Sequence, residues 1–136
     1  MKYFLDTDTC IFMLQGKFPS LIEKFKKSSP DKIKIPSIVK AELLVGAKKG
    51  KNSKHVTELI ENFLEPFEVI SFCDKCTGVY SIIRCDLEEK GKSIDPNDLI
   101  IAATAYAHQG ILVTHNIKEF SRISFLKIQD WCNAKD

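Results

Sequence analysis

In residues 94–108, IDPNDLIIAATAYAH, an acidic segment with a proline leads into an almost unbroken apolar run. Proline suits the first turn of a helix, where its missing N–H would have no partner, so Asp95 is the predicted N-cap and Asp98 the third helical residue. The run after Asp98 is too apolar for a surface helix, which predicts burial against a sheet. This helix would hold the Asp98 carboxylate in a fixed position at its N-terminus, and a metal ligand must be fixed in this way.

The length, composition and net charge of the chain are those of a single globular domain. At 136 residues the chain can bury a core without disulfides or a structural metal. Its net charge of +2 permits a polyanionic partner without requiring one. The N-terminus reaches Asp6 after three apolar residues, too early for a signal peptide. No apolar run approaches the roughly 18 residues of a membrane span. We therefore expect a soluble, cytoplasmic protein with no membrane contact.

The five cysteines follow no pairing pattern and accompany no export signal, which favours reduced thiols. Cys73 and Cys76 form a C-x-x-C motif. It has no second pair and no neighbouring histidine, which disfavours a zinc site. A redox motif would follow a first strand and open a helix in a thioredoxin-like order, and the chain lacks that order. We interpret these cysteines as buried or incidental.

Apolar periodicity predicts strands that alternate with helices. The predicted strands are 3–5, the segment of Ile33 and Ile35, 67–71, 111–114 and 127–128. Two short helices are predicted first, one at 10–14 and one that starts near Pro19. A third is capped by Ser37 and has apolar positions Ile38, Ala41, Leu44 and Val45. Three more follow: one with Val56, Leu59, Ile60, Phe63 and Leu64, one with Val79, Ile82, Ile83 and Leu87, and the helix that begins at Pro96. The alternation predicts an α/β sandwich with a mostly parallel sheet, whose functional crevice lies at the carboxyl ends of the strands.

Four acids are predicted to meet at that edge. Asp6 directly follows the first strand, and Asp98 opens the buried helix. Glu42 lies beside apolar neighbours on its helix, a costly position for a charge unless it meets a metal or a donor. Glu119 lies on a predicted helical turn after the strand at 111–114. Each acid alone could be an ordinary cap, turn or solvated residue, and only the joint pattern favours a site.

Carboxylates held within several ångströms of one another repel, and a hard divalent cation offsets that repulsion. All-oxygen ligation suits Mg²⁺ or Mn²⁺ rather than zinc. Such a site can activate water and stabilise charge on a phosphodiester during in-line attack.

Four motifs, in this order, resemble those of the PIN-domain ribonucleases, and more narrowly those of the VapC toxins of bacterial toxin–antitoxin pairs. They are FLDTD at 4–8, AELLVGA at 41–47, NDLIIAA at 97–103 and LVTHNIKEF at 112–120, followed by Ile123 and Trp131. The resemblance runs from residue 2 to about residue 131. It implies a single PIN domain over residues 1–136, folded as a PIN-like α/β/α sandwich with a central, mostly parallel β-sheet.

The resemblance also implies an activity, Mg²⁺- or Mn²⁺-dependent endonucleolytic cleavage of RNA. The positions that match the family's catalytic and metal-binding acids are Asp6, Glu42, Asp98 and Glu119. Supporting polar positions are Thr7, Thr114 and Asn116. Many relatives have Asn or Ser at the position of Asp8 and Asp at that of Glu119. Some place the fourth acid at the position of Asn116, so that assignment stays open.

The implied partners are an RNA and a small VapB-type antitoxin. The RNA would be structured, a tRNA such as initiator tRNA or a ribosomal RNA loop, and its candidate contacts are Lys48, Lys49, Lys51 and His115. The antitoxin's tail would fill the acidic pocket with Arg or Lys, since Arg bonds carboxylates bidentately. Operator DNA would be bound only through the antitoxin, and the toxin is expected to be a homodimer.

Two other functions stay open. Asp6-Thr7-Asp8-Thr9 also resembles the D-x-D-x-T nucleophile motif of haloacid-dehalogenase-like phosphatases, for whose lysine and later acidic pair Lys92 and Asp95/Asp98 are weak candidates. The chain is short for that fold, and the motif leaves Glu42 and Glu119 unexplained. The second alternative is a PIN-like binding module without nuclease activity. Metal-dependent RNA cleavage distinguishes this module from the enzyme.

Overall fold

Five parallel strands form one sheet within residues 1–133, the part of the chain that the computed structural model describes. The strands are β1 (Tyr3–Leu5), β2 (Ile33–Pro36), β3 (Glu68–Ile70), β4 (Ile111–Val113) and β5 (Ile128–Gln129). The helices are α1 (Thr7–Gln15), α2 (Pro19–Lys27), α3 (Ser37–Lys49), α4 (Ser53–Leu64), α5 (Asp74–Glu89), α6 (Pro96–Ala107) and α7 (Ile117–Phe120). The predicted α/β class is confirmed, and within this range the sheet is wholly parallel.

The strand order, β3-β2-β1-β4-β5, puts β1 at the centre of the sheet. The chain leaves β1 toward β2 and β3, then crosses to β4 and β5 on the other side. Right-handed crossovers that run in opposite directions place α1 to α4 on one face and α5 and α6 on the other, as an α/β/α sandwich requires. The switch of direction opens a crevice beyond the carboxyl ends of β1 and β4, where Leu5 pairs with Val113.

The core lies on both sides of the sheet. Phe4 and Leu5 point to opposite faces of β1 and both are fully buried, as a sheet covered by helices on each side requires. The segment 94–108 contains α6, in which Leu99 and Ile101–Ala105 are buried. This helix packs against α5 as well as against β2 and β4, so its predicted burial is confirmed. Within residues 1–133 no helix is both long and apolar enough to cross a membrane.

The turn between α6 and β4 depends on a glycine. A Cβ added to Gly110 would lie 2.3 Å from ring atoms of Phe4, which is fully buried and has no room to move. Gln109, directly before it, adopts a left-handed backbone conformation with φ of 57°. The chain therefore passes over the Phe4 ring at a distance that only glycine permits.

The predicted apolar face of α3 is only partly correct, although Ile38 and Leu44 are partly buried against the core. Val39, Leu43 and Ala47 face the core, whereas Ala41 is exposed and Val45 is 50% exposed. Ser37 is the first helical residue and its side chain makes no capping hydrogen bond; Pro36 occupies the N-cap. Because apolar residues cover most of this helix, the helical period fits more than one face, and the contacts with neighbouring elements decide among them.

Two further apolar positions were placed wrongly by periodicity. Leu59 on α4 and Ile82 on α5 are exposed, although each directly precedes a buried residue, Ile60 and Ile83. The predicted strand 67–71 is also shorter than expected, since β3 covers only Glu68–Ile70. These errors concern two side chains and the ends of one strand, whereas the existence and type of the three elements were predicted correctly.

Candidate acidic site

Asp6 is the most deeply held acid of the crevice. It caps α1, with Oδ1 accepting the backbone N–H of Thr9 at 2.9 Å, while Oδ2 accepts the Thr114 hydroxyl at 2.6 Å. Its side chain is buried, with 5% of the residue exposed. Burial raises the pKa of Asp6, and the hydrogen bonds from Thr114 and Thr9 counteract that rise. Thr9, which follows β1, and Thr114, which follows β4, thus hold the Asp6 carboxylate between the two strands.

Asp98 is the third residue of α6, as the sequence of residues 94–108 predicted. Asp95 is the N-cap and accepts the backbone N–H of Asn97 at 3.1 Å, which confirms the predicted cap. Burial, together with the negative charges of Asp95, Asp6, Glu119 and Glu42, raises the pKa of Asp98 to about 7. Within residues 1–133 no hydrogen bond to the Asp98 carboxylate is present.

Glu42 joins three helices. Its Oε1 accepts the Thr7 hydroxyl of α1 at 2.6 Å, and its Oε2 accepts the side-chain amide of Asn97 at 3.2 Å. Thr7 was predicted as a supporting position, whereas Asn97 was not. Its position next to Asp98 in the first turn of α6 is the signal that could have identified it, because the turn that presents Asp98 also presents Asn97.

Glu119 is held by the segment that follows β4. The Asn116 side-chain amide donates to Glu119 Oε2 at 3.0 Å, and the Asn116 backbone N–H donates to the Thr114 hydroxyl at 3.0 Å. Thr114 therefore connects Asp6 with the loop that orients Glu119. The structure places Asn116 as a donor to Glu119, which favours Glu119 over Asn116 as the fourth acidic position.

The four acids face one another without being tightly clustered. Their charges act together on Asp98, so they lie around one crevice. In the described part of the chain, however, the group of three His, Cys, Asp or Glu side chains whose ligand atoms all lie within 4.8 Å is His115, Asp130 and Cys132, not a set of these acids. Mg²⁺ is usually held by one or two carboxylates together with waters, so wider spacing is compatible with it. The oxygen-only donor set, with an unpaired half-buried carboxylate at Asp98, fits a hard divalent cation.

The predicted RNA contacts take no part in the hydrogen bonds that hold the acids in the described residues. Lys48, Lys49 and Lys51 are exposed at the end of α3 and just beyond it. With a rise of about 1.5 Å per residue, Lys48 lies roughly 9 Å along the helix from Glu42. His115 contacts the protein itself. Its ring lies 5.1 Å from that of Phe18, between ring centroids, and its Nδ1 lies 3.0 Å from Asp130 Oδ2.

Comparisons with known proteins assign this fold and crevice to a family. The PIN domain family model matches residues 3–126. The chain is 40% identical to Ribonuclease VapC2 of Rickettsia felis over 134 residues, which cover 96% of this chain and 98% of the relative. It is 33% identical to the tRNA(fMet)-specific endonuclease VapC of Salmonella typhimurium over 132 residues, covering 97% of this chain and 99% of the relative.

Solved structures agree. The crystal structure of DNA-bound VapBC from Salmonella typhimurium contains a chain with a TM-score of 0.91 at 33% identity, covering 97% of this chain and 99% of that one. VapBC2 from Rickettsia felis, bound to a DNA fragment from its promoter, contains one with a TM-score of 0.87 at 38% identity, covering 96% and 99%. These matches remove the haloacid-dehalogenase alternative. The chain belongs to the PIN-domain family and, within it, to the VapC proteins.

Proposed function

We propose that this chain is a metal-dependent endoribonuclease that acts as the toxin of a toxin–antitoxin pair. The observation that carries the proposal is the half-buried Asp98 carboxylate, which faces the charges of Asp6, Glu119 and Glu42 and accepts no hydrogen bond from residues 1–133. A fold gains nothing from such an arrangement, because burial and like charges both oppose ionisation. A cation-dependent reaction on a phosphodiester gives the arrangement a use.

Mg²⁺ or Mn²⁺ would be held by Asp6 and Asp98, with Glu42 and Glu119 completing the acidic set. When bound, the ion supplies a nucleophilic water and offsets negative charge on the phosphodiester. Three polar residues orient the acids: Thr114 holds Asp6, Asn97 holds Glu42 and Asn116 holds Glu119. These hydrogen bonds fix the carboxylates before substrate binds, which lowers the cost of organising the reacting groups.

The RNA substrate is proposed to be structured, with tRNA as the first class to test. The Salmonella relative's name specifies tRNA(fMet), and that relative matches nearly the whole chain. A ribosomal RNA loop is the second class to test. The exposed lysines after Glu42, Lys48, Lys49 and Lys51, would attract the RNA backbone electrostatically.

The partner is proposed to be a VapB-type antitoxin that presents Arg or Lys to the acidic crevice, where a guanidinium bonds carboxylates bidentately. Operator DNA would be bound through that antitoxin, in keeping with the VapBC–DNA complexes among the similar structures. We further propose that the toxin is a cytoplasmic homodimer and that residues 1–136 form one PIN domain. A continuous core that extends from Phe4 to Trp131 supports the single domain.

RNA cleavage by the purified protein tests the enzyme. We expect wild type to cut tRNA in Mg²⁺ or Mn²⁺ and not in chelator, and Asp98→Asn to lose the activity while still binding antitoxin. Asp74→Asn is the matched control, because Asp74, like Asp98, is an acid in the first turn of a helix. Asp74 is exposed on α5.

Two results together would contradict the enzyme and favour a binding module. They are wild-type protein that cuts no RNA in either metal, and Asp6→Ala protein that is as toxic to cells as wild type. Mapping 5′ ends in cells after a short induction, wild type against Asp98→Asn, would identify the RNA and the bond.

A further inference from the structure

The C-x-x-C motif opens a helix that follows the third strand, not the first. β3 ends at Ile70, and Cys73 is the N-cap of α5 with an extended backbone, so Cys76 lies in the first turn. The backbone N–H of Cys76 donates to the Cys73 carbonyl at 2.9 Å.

The two sulfur atoms lie 3.8 Å apart. A disulfide requires about 2.05 Å between them, so a movement of less than about 2 Å closes the bond. Residues three apart lie on the same side of a helix, and an extended N-cap keeps Cys73 free to adjust. Neither thiol needs to leave its element for the bond to form.

The two thiols differ in access. Cys73 is partly exposed, whereas Cys76 is fully buried. Although burial opposes it, hydrogen bonds from Cys76 and from backbone N–H groups hold the pKa of the Cys73 thiol below its ordinary value. Burial raises the pKa of Cys76. A more accessible and more acidic thiol beside a protected one is the arrangement of a dithiol that reacts first at one sulfur and is resolved by the other.

We propose that Cys73 and Cys76 form a redox-active dithiol that closes reversibly to an intrachain disulfide by exchange with a low-molecular-weight disulfide. The Cys73 thiolate attacks one sulfur of the small disulfide, which forms a mixed disulfide and releases one small thiol. Cys76 then loses its proton and attacks Cys73 Sγ, releasing the second small thiol. The protein dithiol is oxidised by two electrons, and the small disulfide is reduced to two thiols.

Among the described cysteines this pair is distinguished by its geometry. Cys10 is fully buried inside the core, and burial raises its pKa. Cys132 has its pKa raised to about 12 by burial and by Asp130. Cys85 is exposed on α5 without a neighbouring sulfur among the contacts of the described residues, which makes it the matched control.

The test incubates the folded protein with reduced and oxidised glutathione at a series of ratios, followed by acid quench, alkylation and mass spectrometry. We expect wild type and Cys85→Ser to lose two alkylatable thiols together, with a peptide that joins Cys73 to Cys76, and to regain both in reduced buffer. Cys76→Ala should accumulate glutathione on Cys73, whereas Cys73→Ala should accumulate at least several-fold less on Cys76.

Three results would overturn the proposal. They are wild-type protein that stays fully reduced in the most oxidising buffer, a disulfide that joins other cysteines, and equal glutathione uptake by the two single variants. Circular dichroism establishes that each variant is folded, and the wild-type peptide map decides the question if a variant does not fold. RNA cleavage plays no part in the readout, so the outcome is independent of the proposed nuclease function.

Discussion

The Thr114 hydroxyl donates a 2.6 Å hydrogen bond to the Asp6 carboxylate, joining residues that lie 108 positions apart in the chain. Both residues directly follow strands, β1 and β4, that pair in parallel at the centre of the sheet. The bond is therefore a direct product of the switch point in strand order. It couples the position of the most buried acid to the loop that carries Asn116 and Glu119.

Thr114→Val removes this donor while keeping the shape of the side chain. The Asp6 carboxylate would lose one of the hydrogen bonds that oppose the effect of burial, so its pKa should rise further. Loss of a partner to a buried polar group costs about 1–3 kcal/mol. We expect RNA cleavage to fall by about 10- to 100-fold, the usual effect of removing a residue that orients a metal ligand. Initial cleavage rates over a range of Mg²⁺ concentrations check this.

Thr57→Val is the control, since Thr57 lies on α4 away from the crevice and no hydrogen bond of its side chain is among those that define the site. Cleavage by Thr57→Val should match wild type. Wild-type rates in Thr114→Val would show that Asp6 does not depend on this hydroxyl.

Asn97→Ala removes one of the two donors to Glu42, leaving the Thr7 hydroxyl as the other. The Glu42 carboxylate would then be held at only one of its two oxygens, and cleavage should fall by about 10-fold or more with little loss of stability. Single-turnover cleavage and urea unfolding measure the two effects separately. Asn52→Ala is the control, because Asn52 precedes α4 and its side chain makes no capping bond. A large loss of stability with an unchanged rate would assign Asn97 a structural role instead.

The stability of the protein without metal should depend on pH through Asp98. Its pKa is about 7 in the folded protein, compared with 3.8 as the ordinary value, so between about pH 4 and pH 7 the folded state binds more protons than the unfolded state. The free energy of unfolding therefore decreases as the pH rises through this interval. Since Asp98 is only half-buried, solvent screening limits the effect to about 1–2 kcal/mol.

Asp98→Asn should remove most of this dependence and should be more stable than wild type at pH 8 in chelator. Urea unfolding at pH 5, 6, 7 and 8 measures it, with Asp74→Asn as the control that keeps the wild-type slope. Parallel pH profiles for wild type and Asp98→Asn would contradict the raised pKa.

Gly110→Ala should destabilise the fold by about 1–3 kcal/mol, because the new methyl group would overlap the buried ring of Phe4. Combining it with Phe4→Leu should recover part of that loss, since the smaller side chain makes room. Gly78→Ala is a control for which the opposite change in stability is expected. A Cβ at Gly78 meets nothing within 4 Å, so alanine there should stabilise α5 by about 0.5–1 kcal/mol. Thermal unfolding of the four proteins checks all three expectations.

Local signals in the sequence determined the helix that begins at Pro96, its Asp95 cap, the placement of Asp98 and the alternation of strands and helices. These features depend on interactions within a few residues, between a cap and its N–H groups or between side chains one turn apart. Such interactions are present in the chain before any long-range contact forms, so a single sequence is enough to predict them.

Only the tertiary structure decided which face of α3 is buried, that Asn97 donates to Glu42, that Asn116 orients Glu119, and that Cys73 begins α5 within reach of Cys76. An apolar helix has several faces that satisfy the same period, and the sheet and the neighbouring helices choose one of them. The hydrogen bond between Asn97 and Glu42, which lie far apart in the chain, exists only after α3 and α6 have packed against each other. The sequence thus determined which acids were available, and the packing of the sheet and helices decided how each is held.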